Sequence, residues 1–261
     1  MNRIDRLFRE KKQNILSVYF TAGFPEREST ASVIRALGRH GADMIEVGVP
    51  FSDPVADGPV IQQSSRRALD NGITLHRILE QLEEVRNGNT VPLLLMSYLN
   101  PILRYGLERL CHDAAAAGID GLIIPDLPPE EYLEKHLKIF REHDLKNIFL
   151  LTPQTPEERI RFLDEHGEGF LYVVSSRATT GVRDTFSEEQ LAYFKRLATL
   201  GLKTPLVAGF GISNAITYRQ ATRHLHGAIV GSAYIKALEK ASDIEQATRN
   251  FLRNLRADPS S

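Results

Sequence analysis

Cysteine is close to absent from this 261-residue chain: Cys111 stands alone. One thiol cannot close an internal disulfide. In its helical, Ala-rich stretch Cys111 reads as a small buried hydrophobe in a reducing compartment. An excess of charge of one sign is missing too. With 32 basic and 33 acidic side chains, there is no electrostatic reason to expect nucleic acid or an anionic membrane as partner. No run approaches the roughly 18 apolar residues needed to span a bilayer. The opening MNRIDRLFREKKQN is amphipathic, carries Asp5 and Glu10 and has no apolar core. It reads as an extra N-terminal helix, because a secretory signal needs an apolar run and transit peptides are poor in acidic residues. A cytoplasmic location is the expectation.

Several chemical signatures are missing as well. No G-x-G-x-x-G follows the first apolar run, and neither H-E-x-x-H nor a cysteine cluster suggests a metal. The eight histidines are scattered. His224 and His226 flank Leu225 just before the last apolar run, at the non-catalytic end of that unit, and read as structural. None of the apolar runs contains lysine, which disfavours a Schiff-base aldolase. A carbon–carbon cleavage here would have to use acid–base groups alone, with the substrate supplying the electron sink.

What is present is regular. Apolar residues make up 42% and charged residues 25%, ordinary values for a chain with a sizeable core. Short β-branched-rich runs recur at Leu16–Ala22, Met44–Val49, Pro92–Tyr98, Gly121–Asp126, Asn147–Pro153, Phe170–Ser175, Pro205–Gly211 and Ala228–Ser232. Helical spacing of apolar residues fills the gaps, as over Glu130–His143, Pro156–His166 and Ser187–Leu200. Such alternation predicts a parallel sheet with helical crossovers. Eight units without a linker favour one closed (β/α)8 TIM barrel over residues 1–261, at the usual barrel length of about 250 residues, above an open doubly wound sheet. The long loops are Pro50–Pro59 after strand two and Ser176–Phe186 after strand six. Both leave strands, so they mark the working face.

Strand two reads Met44-Ile45-Glu46-Val47-Gly48-Val49. Alternation puts Ile45, Val47 and Val49 toward the outer helices and turns Glu46 into the barrel. Burying a carboxylate raises its pKa, which acid–base work near neutral pH requires. A structural salt bridge at the mouth is the alternative. Eleven residues on, the stiff loop Pro50–Pro59 carries Asp53 and Asp57. Asp57 is placed either to face a ligand or to cap a helix beginning near Pro59. Asp53 before Pro54 fits an Asx-type turn.

Gly209-Phe210-Gly211-Ile212-Ser213 follows strand seven and Gly231-Ser232-Ala233 follows strand eight. Both runs are expected to open helices and expose backbone N–H groups to a phosphate, a recurrent arrangement in barrels. Sharp turns alone are the other reading. Thr180-Gly181 in the strand-six loop adds a possible donor, and that loop reads as a lid or as a plain connector.

The segment Glu46-Val47-Gly48-Val49-Pro50-Phe51-Ser52-Asp53-Pro54-Val55-Ala56-Asp57-Gly58-Pro59 resembles the signature of the tryptophan synthase α-subunit family. The resemblance runs nearly end to end, through Tyr19-Phe20-Thr21-Ala22-Gly23, Pro125-Asp126-Leu127-Pro128, Gly209-Phe210-Gly211-Ile212 and Gly231-Ser232-Ala233. It implies retro-aldol cleavage of indole-3-glycerol phosphate to indole and glyceraldehyde 3-phosphate. By the match, Glu46 is the acid–base group, Asp57 accepts from the indole N–H, and Tyr172 is the active-site tyrosine, whose other reading is a barrel-filling aromatic. Tyr19 lies beside the substrate, and Gly181, Gly211, Gly231 and Ser232 match phosphate-binding positions. Asp53 matches a segment that contacts a separate β subunit. That partner carries pyridoxal phosphate in an α2β2 tetramer, while this chain carries no cofactor. Ala178-Thr179 stands where many members have Gly-Val before Thr-Gly, which restricts the lid backbone. A stand-alone indole-3-glycerol phosphate lyase, or a phosphate-binding barrel kept mainly as an allosteric partner, are the alternatives.

Overall fold

A computed structural model describes residues 1–175 and 185–257. Eight parallel strands close on themselves in sequence order: β1 Ile15–Thr21, β2 Met44–Gly48, β3 Leu93–Met96, β4 Gly121–Ile123, β5 Lys146–Leu151, β6 Leu171–Val174, β7 Leu206–Gly209 and β8 Gly227–Val230. The open-sheet alternative is thereby excluded. Nearly every strand residue is buried, because one face fills the barrel and the other lies under helices. All eight apolar runs are strands; β1 is as long as its run and shifted back by one residue, and the others are shorter than theirs. Their last residues leave the sheet where loops splay outward at the mouth.

The helices come between. Ahead of β1 lies α1 Arg3–Glu10, then α2 Ser29–Arg39, α3 Pro59–Asp70, α4 Leu75–Arg86, α5 Leu99–Tyr105 and α6 Leu107–Ala116. After β4 come α7 Pro129–Glu131, a π-helical turn at Tyr132–His136, and α8 Leu137–Glu142. The remainder are α9 Glu157–His166, α10 Glu188–Ala198, α11 Ala215–Thr222, α12 Ser232–Glu239 and α13 Ile244–Arg256. Among the described residues no helix is long and apolar enough to cross a membrane. Cys111 is fully buried in α6, as expected.

The amphipathic opening is α1, which lies across the base of the barrel. Its Ile4 and Phe8 are buried, and Phe8 meets Phe170 at 5.8 Å between ring centroids. Asn2 caps the helix by accepting from the Ile4 amide. Its own amide donates to the carbonyls of Asp120 and Asp144. Asp120, buried at the start of the β4 unit, accepts from Arg3 at 2.9 Å, Arg86 at 2.8 Å and the Leu93 amide at 2.9 Å. His226 serves the same end: half-buried, it accepts from the Leu206 amide through Nδ1 at 3.1 Å. Burial lowers its pKa, in keeping with the structural reading.

Two expectations change. Strand five begins at Lys146, one residue before the run that was free of lysine. That lysine sits at the base and pairs with Asp5 at 3.2 Å, so it has no access to the mouth; its position excludes a Schiff base there. The helix expected over Glu130–His143 is broken by the π turn. On an uninterrupted α-helix Tyr132 and Phe140 would point roughly 80° apart. The wider turn brings both onto the barrel, where Tyr132 packs edge-on against Phe140 at 5.1 Å and Phe149 at 5.7 Å.

Candidate active site

Glu46 is wholly buried on β2 and points into the barrel. The alternation of the strand places it there, and its neighbours fix it. Ser17, inward on β1, donates to Glu46 Oε1 at 2.8 Å, while Oε2 has no hydrogen-bond partner. Among the described residues no basic side chain contributes to its titration. Burial pushes the carboxyl up to about 8, and only the Ser17 hydroxyl pulls the other way. The salt-bridged alternative is therefore not what this site contains.

Asp57 comes to the same space from the loop after β2. The half-buried carboxylate accepts from the Tyr98 hydroxyl at 3.2 Å, and that hydroxyl accepts from the Ala56 amide at 3.0 Å. Its backbone is pinned by Asp57 N–H to Pro54 O at 3.1 Å and by Gln62, which donates to Asp57 O at 2.9 Å. The capping alternative is overturned: α3 has Gly58 at its N-cap and no side-chain cap. Burial pushes Asp57 up to about 6, opposed by Tyr98.

Two tyrosines line the interior beside these acids. Tyr19 pairs with Glu46 in the β1–β2 register, and Tyr172 lies on β6. Both are buried, and the charges of Glu46 and Asp57 raise both hydroxyls further above their ordinary value, after burial itself. The rings occupy room left by glycine. A Cβ on Gly48 would stand 2.2 Å from the Tyr19 hydroxyl, and one on Gly209 would stand 2.2 Å from that of Tyr172. Tyr172 thus fills the barrel and also borders both carboxylates.

The glycine loops divide. Gly231 is the N-cap of α12, without a side-chain cap, and Ser232 is its first residue, so the first-turn amides there are unclaimed by side chains. Gly211 follows Phe210, both at positive φ (76° and 68°), and Ser175 holds the Phe210 carbonyl at 2.7 Å. The expectation that this run opens a helix is corrected: α11 begins only at Ala215. Its first turn is closed by an Asn214–Thr217 capping box, so the Gly211 loop offers backbone groups of its own rather than a helix end. Asp53 lies exposed at the surface of its loop, with Ser52 donating to it at 2.5 Å. Its turn closes through its backbone carbonyl, to the Val55 amide at 2.9 Å, and not as an Asx turn. Thr180 and Gly181, with the Ala178-Thr179 departure, lie outside the described residues.

Ser17 and Tyr98 were missed by sequence reasoning. A signal existed for Ser17, a lone hydroxyl two positions before Tyr19 and so on the same inward face. Tyr98 ended an apolar run and gave none. Among the described residues no group of three or more His, Cys, Asp or Glu could hold a metal.

Comparison with known proteins shows the family. The family model described as tryptophan synthase alpha chain matches residues 6–258. The tryptophan synthase alpha chain of Parabacteroides distasonis is 49% identical over 98% of this chain and the whole of that protein. That of Flavobacterium psychrophilum is 50% identical over 91% of this chain and 94% of its own length. Among solved structures, tryptophan synthase subunit alpha from Legionella pneumophila superposes with a TM-score of 0.87 at 38% identity, covering 98% of this chain and 97% of that one. The A-subunit from Pyrococcus furiosus gives 0.84 at 32% identity, covering 94% and 98%.

Proposed function

The chain belongs to the tryptophan synthase alpha chain family and cleaves indole-3-glycerol phosphate in tryptophan biosynthesis, and from that premise we propose which residues do the work. The whole chain, residues 1–261, acts as one catalytic domain. The observation that carries the assignment is Glu46: a fully buried carboxyl with no cation beside it among the described residues and one oxygen unpartnered.

Near neutral pH a group titrating at about 8 is mostly protonated, and Asp57, at about 6, is mostly ionised. Two carboxyls held apart in this way take different roles. Glu46 gives its proton to indole C3, leaving an indoleninium cation. Asp57 accepts from the ring N–H and stabilises the positive charge. The C3–glycerol bond then breaks and its electron pair returns to the ring, restoring neutral indole. As the carbonyl forms, the glycerol hydroxyl proton passes to the Glu46 carboxylate, which regenerates the acid. The protonated ring is the electron sink, so this chain needs no cofactor for the step. Tyr19 and Tyr172 wall the indole, and Gly211, Gly231 and Ser232, with Thr180 and Gly181, hold the phosphate.

The partner is a β subunit carrying pyridoxal phosphate, in a cytoplasmic α2β2 assembly that receives the indole. The Asp53 loop supports this reading: it projects from the mouth and shows Val55 at 88% exposure, an apolar tip suited to a protein contact.

Indole release from indole-3-glycerol phosphate, with and without a tryptophan synthase β subunit, tests the assignment. Slow release alone and strong activation by the β subunit is the expected result. Fast release alone makes the chain a stand-alone lyase. No release in either condition overturns the roles given to Glu46 and Asp57.

A further inference from the structure

Ser17 belongs to neither the signature loop nor any glycine run, yet its side chain is completely buried and its hydroxyl ends on the Glu46 carboxyl at 2.8 Å. Register explains how it reaches. Ser17 pairs with Met44 and Tyr19 pairs with Glu46, so Ser17 and Glu46 sit diagonally on adjacent strands, both facing inward. A hydroxyl in that position is costly unless it finds a partner, and the partner here is one chosen oxygen of a carboxyl whose other oxygen is unpartnered.

We propose that Ser17 is a positioning residue for proton transfer: its O–H fixes Glu46 Oε1 as an acceptor, so the exchangeable proton resides on Oε2. The inference rests on the reading of Glu46 as the acid–base group. An oxygen that accepts from Ser17 is the poorer seat for the proton, because a hydroxyl oxygen accepts more weakly than a carbonyl oxygen. The proton therefore favours Oε2, from which it is given to carbon and later regained from the glycerol hydroxyl. Charge develops on the carboxylate as the proton departs, and the Ser17 bond strengthens with it. Its contribution is thus larger in the transition state than in the resting enzyme, the condition for raising kcat. Among the described residues the other titratable groups that sense the charge of Glu46 are Tyr19 on β1 and Tyr172 on β6, and Asp57 acts on the same two tyrosines. None is a cation, so none replaces the bond if it is lost.

Ser17→Ala and Ser17→Cys, which removes and weakens the donor respectively, form the test. For Ser17→Ala, kcat for indole release falls about tenfold or more, as loss of a hydrogen bond to a charged group allows, with KM within about twofold. The alkaline limb of the pH–rate profile moves up by about one unit, because the charged form has lost its support. Ser17→Cys shifts both in the same direction by less. A second readout does not depend on turnover: 13C NMR titration of glutamate carboxyls in the ligand-free protein, with Glu46→Gln identifying the signal. The Glu46 midpoint rises in both Ser17 variants. An unmoved midpoint, or a loss of kcat with an unmoved alkaline limb, overturns the proposal. If the unmodified chain releases no indole, the assigned reaction fails, while the titration still decides whether Ser17 governs Glu46.

Discussion

At the base of the barrel Asp120, 2% exposed, accepts from Arg3, Arg86 and the Leu93 amide. Toward the mouth Glu46, fully buried, accepts from one serine hydroxyl and leaves an oxygen without a partner. The residue chemistry is nearly the same; the surroundings differ. At the base two guanidinium groups offset the desolvation of the carboxylate, and the three groups lock β3 and the start of β4 to α1 and α4. At the mouth no cation among the described residues offsets it and one hydroxyl does so only in part, so burial keeps the proton on the carboxyl. On the proposed mechanism, stability is given up there for a proton that can be moved at neutral pH.

The sharpest way to break this comparison is Glu46→Gln. Cleavage should fall by about 10³-fold, measured as indole release. Stability should move the other way. Glu46 titrates at about 8 when folded and at 4.5 when free, so the folded state holds the extra proton between those values. Stability conferred by that proton is complete below 4.5 and is lost as pH rises through about 8. The variant lacks this liability, and its advantage in denaturant unfolding should grow across the window to at most about 3 kcal/mol at neutral pH. Near-normal turnover, or a stability difference independent of pH, would sink the contrast.

Asp120→Asn is the reverse experiment. It leaves two partly buried arginines short of a counter-charge, so unfolding free energy should drop by about 3 kcal/mol. Turnover at temperatures where the variant is folded should stay within about twofold. A stable variant, or an inactive folded one, would show that the base is not merely structural.

The pH profile of kcat/KM comes next. The proposed reaction requires Asp57 ionised and Glu46 protonated, so activity should lie between limbs near 6 and 8 and fall about tenfold per unit outside them. A flat profile would separate these carboxyls from the chemistry. The smallest expected effect is that of Tyr98→Phe. The Tyr98 hydroxyl holds Asp57 below where burial alone would put it. Its loss should raise the acid limb by less than about one unit and cost a few-fold in rate near pH 6; an unmoved limb would leave Tyr98 as a loop support only.

Legibility followed the range of the physics. Glu46 stood out because strand alternation is local: a carboxylate on the inward side of an apolar run announces itself. The eight-strand order was equally visible in the repeating runs, and α1 in its amphipathic spacing. Asp57 suits two readings in the sequence, since a carboxylate just before Pro59 can cap a helix as well as face a ligand. The Gly58 N-cap removes the first, and Tyr98, distant in sequence, is what the carboxylate meets instead. Gly209 was read with the phosphate turn, yet a side chain there would strike the Tyr172 hydroxyl across the β6–β7 boundary. The Gly211 run was expected to open a helix, but the Asn214 cap that delays α11 depends on a hydrogen bond three residues along, a competing local signal that was passed over.

The sequence by itself determined the alternation of strands and helices, the inward carboxylate and the stiff loop beside it, because these depend on periodicity and on backbone limits within a few residues. Tertiary structure decided which groups meet. Closure of the barrel set Ser17 diagonal to Glu46, brought Tyr98 under Asp57 and laid Tyr19 and Tyr172 over Gly48 and Gly209. It also assigned one buried carboxylate two arginines and the other none among the described residues. A pKa is a property of surroundings, and the surroundings exist only once distant strands are in register.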